Sequence, residues 1–173
     1  MTAILGGGMS SRLFQQVRER NGLCYTIYSF RTSYIGTGVL SIYVALSRDA
    51  ELKAIALIKD VIKEMLENGV TEDEVRRTVT QLKSNLLMGL ESTTSRMNVI
   101  AQNEFAYGRA VSEDEVIAGF DAVTPESVLA AARRLLDFDA MSFSAVGKVR
   151  DAEEYKKVLL TDTDRTKNNT VFK

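Results

Sequence analysis

The chain has 173 residues, 45% of them hydrophobic and 26% charged, with a net charge of −1, so it reads as one soluble domain able to bury roughly 70% of its unfolded surface. With no histidine and one cysteine, it cannot form an internal disulfide, a zinc site of its own or a histidine-based hydrolytic site. No stretch reaches the ~20 apolar residues of a membrane span and no basic-then-apolar leader is present, while a pI near 5.6 without a basic run argues against nucleic acid.

Residues 1–4 read as the end of a helix, closed by Gly6, Gly7 and Gly8. Ser10 or Ser11 is placed to cap a second helix running to about Arg20, with Leu13, Phe14 and Val17 as its buried stripe and Asn21-Gly22 as its stop. The period then changes to two. Residues 23–30 form one expected strand, with Leu23, Tyr25 and Ile27 on one face and Cys24, Thr26, Tyr28 and Phe30 on the other. Residues 33–47 form the second, and the short link between them predicts an antiparallel hairpin.

Asp49 is expected to cap a long helix that ends at Asn68-Gly69. Thr71 to Glu74 is a capping box, because the threonine and the glutamate three positions on can each satisfy a free amide. The helix it opens is bent or interrupted at Ser92 to Ser95 and resumes to about Tyr107. Ser112 to Glu115 reads as another capping box, and Thr124-Pro125 starts a further helix with proline where its missing N–H costs nothing. Residues 140–147, AMSFSAVG, alternate as a strand returning to the sheet, and a short amphipathic helix is expected at 151–160.

The expected order is therefore helix, hairpin, three or four helices, strand: an α+β domain, an antiparallel sheet with helices packed on one face. Residues 1–160 are assigned to this domain and residues 161–173 to a polar, frayed tail. Asn168-Asn169-Thr170 in that tail matches a glycosylation sequon, which without a leader carries no weight. A small sheet for so many helices, in a chain that opens inside a helix, suggests a piece of a longer protein whose first strands lie elsewhere. Strand edges left bare in this way would let the fragment associate with itself.

Residues 1–48 contain Arg12, Arg18, Arg20, Arg31 and Arg48 against the single acid Glu19, a local charge of +4, so the remainder carries −5. That asymmetry suits an anion, a peptide rich in carbonyls or an acidic partner, and equally a solvated surface. The glycines do not make a phosphate loop: no lysine follows them, and the preceding residues read as helix where a strand is required. Cys24 has no histidine partner and reads as a small buried apolar residue. Arg18 and Arg20 flank opposite edges of the apolar stripe, so helical geometry does not choose between them. Tyr25 lies three residues past Gly22, close enough to share a location with the helix end. A phenol there can donate to a developing oxyanion and a guanidinium can hold carbonyls; a core tyrosine beside a surface arginine fits the spacing equally well.

LGGGMSSRLFQQVRERNGLCYTIYS closely resembles the opening of the C-terminal homologous half of pitrilysin-like zinc metallopeptidases, the family of mitochondrial processing peptidase and insulin-degrading enzyme. The likeness continues through LKSNLLMGLESTTSRMNVIAQNEFAYGR, EVIAGFDAVTPESVLAAARRLL and MSFSAVG, covering residues 3 to about 148. It implies two similar α+β halves facing each other across a closed cleft. The N-terminal half or subunit carries the inverted zinc motif H-x-x-E-H, so Zn2+ is expected there and none in this chain. The resemblance further implies that an arginine and a tyrosine seven residues apart, here Arg18 and Tyr25, reach a peptide substrate near the metal. In that role the tyrosine donates to the scissile carbonyl oxygen and the arginine holds the peptide backbone.

The family often has Lys-Arg-Gly-Leu-Ala-Tyr where this chain has Arg20-Asn21-Gly22-Leu23-Cys24-Tyr25. Cys24 is expected on the strand face opposite Tyr25, leaving the pair undisturbed. Three readings follow. The first is the non-zinc half of a cytoplasmic, bacterial-type zinc peptidase, inactive by itself, with no role at a membrane. The second is a non-catalytic structural or peptide-binding subunit of the same fold. The third is an independent anion-binding module.

Overall fold

A computed structural model of the chain describes residues 1–160. The expected tail and the sequon at Asn168 lie outside the described residues.

The glycines act as expected and also allow close packing. Helix α1 (Thr2–Gly6) ends at Gly7, and its last residue lies against strand β1 (Cys24–Tyr34). A Cβ on Gly6 would stand 2.5 Å from the Ser29 amide nitrogen, so only glycine permits this approach. Ser29 is buried and donates its hydroxyl to the Thr2 carbonyl at 2.9 Å, which satisfies a polar group inside the contact.

The segment after the glycines differs from the expected capped α-helix. Ser11 is buried and donates its hydroxyl back to the Gly8 carbonyl, so neither Ser10 nor Ser11 caps the helix with a side-chain oxygen. Phe14–Arg20 winds as a π-helix, the wide i→i+5 form. Val17 of this stretch and Leu13 just before it are fully buried. Gly22 then takes a φ of +59°, which only glycine holds without strain, and the chain turns into β1.

Strands β1 and β2 (Thr37–Leu46) form an antiparallel hairpin whose two-residue link, Ile35-Gly36, uses a positive φ at Gly36. The alternation predicted for the first strand holds only in part. Cys24 pairs with Leu46 while Thr26 pairs with Ala45, so Tyr25 is the extra residue of a β-bulge. The bulge breaks the period of two: Cys24 and Ile27 both pack on the core, and Tyr25, expected on the face of Ile27, is 82% exposed. Cys24 packs against the core while Tyr25 is turned to solvent.

Helices cover one face of the hairpin. Helix α2 (Glu51–Asn68) and helix α6 (Pro125–Leu135) bring Ala54, Val61, Ile62, Met65, Val128 and Ala132 together with Ile4, Leu5, Leu13, Val17 and Ile27 in the main core. On the other face Tyr28 and Tyr43 pair across the strands with ring centroids 5.1 Å apart, and Phe30 lies 5.7 Å from Tyr28.

Helix α3 (Glu72–Gly89) starts with the predicted capping box at Thr71, and α4 (Thr93–Tyr107) is a separate helix capped by Ser92. Among the described residues five helices, α2 to α6, therefore lie between the hairpin and residues 140–147, where three or four were expected. Helix α5 (Glu113–Asp121) has half a box: Ser112 accepts from the Glu115 amide, but the Glu115 carboxylate turns to Arg109 at 2.6 Å. The expected Asp49 cap is absent. Residues 47–50 make a tight turn, and α2 begins after Ala50 with no side-chain cap.

The strand predicted over residues 140–147 does not form among the described residues, where the sheet has two strands. The segment joins no backbone ladder, and its apolar side chains Met141 and Phe143 pack instead on Tyr155 and Leu159 of α7 (Ala152–Leu159) and Ile55 of α2. Alternation specifies which side chains are buried but supplies no partner for the backbone.

Candidate functional site

The end of the π-helix and the start of β1 meet at Gly22. Two local irregularities decide what is displayed there. The wide turn ends with the Arg18 carbonyl accepting from the amides of Asn21 and Gly22, and the Leu23 amide reaches the Val17 carbonyl at 3.0 Å. Two residues later the bulge turns Tyr25 away from the core. Bulges re-aim side chains in this way, and π-turns and bulges both recur beside functional sites.

Arg18 and Tyr25 are brought together. The Arg18 guanidinium carbon lies 5.2 Å from the centre of the Tyr25 ring and 4.7 Å from the centre of the Phe14 ring. Both distances are within cation–π range. Arg18 is half-buried and Tyr25 exposed, and among the described residues neither side chain makes a hydrogen bond or ion pair. The guanidinium donors and the phenolic hydroxyl are therefore available to a ligand. Arg20, which the helical wheel left equal to Arg18, is exposed and has no ring contact.

Cys24 sits beside this pair on the core side, where burial pushes its thiol up and the Arg18 charge opposes that shift. A thiol raised in this way is a poor nucleophile, in keeping with a packing role. Phe14 is the residue that sequence reasoning missed. It was assigned to the buried stripe, whereas its ring carries Arg18; the signal was its i,i+4 spacing from that arginine.

Among the described residues no group of three or more histidine, cysteine, aspartate or glutamate side chains could hold a metal ion. The whole sequence has no histidine, the nitrogen ligand of most zinc centres. Among the described residues no helix is long and apolar enough to cross a membrane.

Residues 1–82, which include Arg18 and Tyr25, match the family described as Peptidase M16 inactive domain. Over 153 residues the chain is 36% identical to an uncharacterized zinc protease of Streptomyces coelicolor, covering 88% of this chain and 33% of that protein. An uncharacterized zinc protease of Bacillus subtilis is 38% identical over 136 residues, 79% of this chain and 33% of the relative. The chain thus spans about a third of the length of the curated relatives it matches. Among solved structures, a peptidase M16 inactive domain from Pseudomonas fluorescens superposes with a TM-score of 0.67 at 27% identity, covering 79% of this chain and 32% of that one. A conserved protein from Enterococcus faecalis shares the fold, with a TM-score of 0.67 at 23% identity over 77% of this chain and 31% of its own. Sequence and fold agree that the chain belongs to the M16 peptidase family, as its inactive C-terminal domain.

Proposed function

We propose that this chain is the non-zinc half of a zinc-dependent endopeptidase acting on peptides or extended protein segments, and that it supplies Arg18 and Tyr25 to the substrate across a cleft. The observation that carries the reading is the pairing of an exposed phenol with a guanidinium whose donors have no partner among the described residues. The complementary N-terminal half, on the same or another polypeptide, holds Zn2+, which activates water and polarises the scissile carbonyl.

Tyr25 donates its O–H to the carbonyl oxygen as negative charge gathers there, an interaction that strengthens toward the transition state. Arg18 holds neighbouring peptide carbonyls with its planar fork of donors and offsets charge at the site. Its contact with the Tyr25 ring keeps the two groups in register. The bulge turns the phenol outward, and the fully buried Leu13 and Val17 anchor the segment that bears the arginine.

The test is Tyr25→Phe in the full-length protein. Turnover of a peptide substrate falls by roughly 10²–10³, while zinc per molecule, measured by elemental analysis, stays at the wild-type level. Near-normal turnover in that variant removes the oxyanion role. A zinc-loaded full-length protein that cleaves no peptide points instead to a structural or peptide-binding subunit.

A further inference from the structure

We infer that Phe14 is a positioning residue for Arg18: its ring supports the guanidinium by one face and leaves the in-plane donors open to a peptide. The inference rests on the reading of Arg18 as the group that holds substrate. Several arginines of the described residues are fixed by carboxylates, as Arg12 is by Glu74, Arg109 by Glu115 and Arg150 by Glu51, and others, such as Arg20 and Arg31, have neither a carboxylate nor a ring against them. Arg18 has no such partner and meets only the rings of Phe14 and Tyr25.

This difference matters chemically. A carboxylate consumes the same N–H donors that a peptide carbonyl needs, whereas an aromatic face contacts the guanidinium perpendicular to its plane and consumes none. The ring also restricts a long side chain that would otherwise lose its rotamer freedom only on gripping the peptide. Phe14 can do this because it is held itself. It opens the π-helical stretch next to Leu13, and Leu13 and Val17 are both fully buried. Tyr25 is 82% exposed on its bulge and provides a less constrained support.

The experiment uses the full-length protein and peptide hydrolysis. Phe14→Leu keeps apolar bulk and removes the ring; KM rises about three- to fivefold, with kcat within about twofold and the melting temperature within a few degrees of wild type. Phe14→Tyr keeps the ring and restores KM. In an Arg18→Met background, Phe14→Leu produces no additional rise, because the group it positions is gone. The inference is overturned if Phe14→Leu raises KM equally in both backgrounds, or if Phe14→Tyr fails to restore it, since either marks a packing role. Should Phe14→Leu not fold, Phe14→Met is used in the same comparison. An unchanged KM in Arg18→Met alone removes the substrate-holding reading and this inference with it, whereas failure of the coupling alone leaves that reading standing.

Discussion

Arg12 grips both carboxylate oxygens of Glu74, with Nε 2.7 Å from Oε1 and Nη2 2.8 Å from Oε2, and the same Nη2 donates to the Gly69 carbonyl at 2.9 Å. One side chain thereby ties the segment entering the π-helix to the end of α2 and the start of α3. Glu74 completes the knot by accepting from the Thr71 amide at 2.8 Å. Bidentate, charge-assisted contacts of this kind are the strong ones, and both side chains are largely buried.

The fork makes stability depend on acid. The Arg12 hydrogen bond, aided by the Thr71 amide and opposed by burial, lowers the Glu74 carboxyl from 4.5 to about 2. A depressed folded-state pKa gives stabilisation that is complete above the unfolded value and lost as pH falls through the folded one. Glu74→Gln should therefore cost about 2 kcal/mol at neutral pH and flatten the loss of stability between about pH 5 and pH 2. Urea melts of both proteins across that range check this; parallel curves would assign the acid dependence to other carboxylates.

Gly6→Ala should destabilise the α1–β1 contact. The new methyl would meet the Ser29 amide nitrogen at 2.5 Å and the Ser29 hydroxyl at 2.8 Å, and the backbone nitrogen cannot rotate away. The cost is about 1–3 kcal/mol, read as a lower urea midpoint with an unchanged slope.

Tyr155→Phe tests how α7 is held. The Tyr155 hydroxyl donates to a Glu51 carboxylate oxygen at 3.0 Å and accepts from the Arg150 amide at 3.0 Å, joining α7 to the start of α2 beneath the Phe143 ring. Removing it strands a partly buried donor and costs about 1–2 kcal/mol. Amide hydrogen exchange should accelerate in α7 first, and unchanged protection there would show that apolar packing alone suffices.

Arg18 and Arg20 should separate cleanly in the full-length protein. Arg18→Met is expected to raise KM for peptides by about tenfold or more, whereas Arg20→Met, which removes an exposed side chain without a ring contact, leaves KM within about twofold. Equal effects from the two would indicate a general electrostatic contribution, and raising the ionic strength would then abolish both.

Much of the fold was legible because the signals were local. Glycines at 6–8, 22 and 69 ended elements where expected, and Thr71 to Glu74 formed its box. Pro125 took the first position of α6. Expectations failed where a backbone needed a distant partner or a side chain had a better one. Residues 140–147 alternated like a strand but pair with neither β1 nor β2, and Glu115 preferred Arg109 to its own cap.

The sequence by itself determined the family, the lack of any histidine and the candidacy of Arg18 and Tyr25, since these depend on which residue types occur and in what order. Tertiary structure alone set Arg18, and not Arg20, against aromatic rings, turned Tyr25 out of the core and put Phe14 against the guanidinium. The reason lies in two departures from regular geometry. A π-helix and a β-bulge each change the angular step between residues, and a wheel or alternation drawn with ideal periods assigns faces as though those steps were constant.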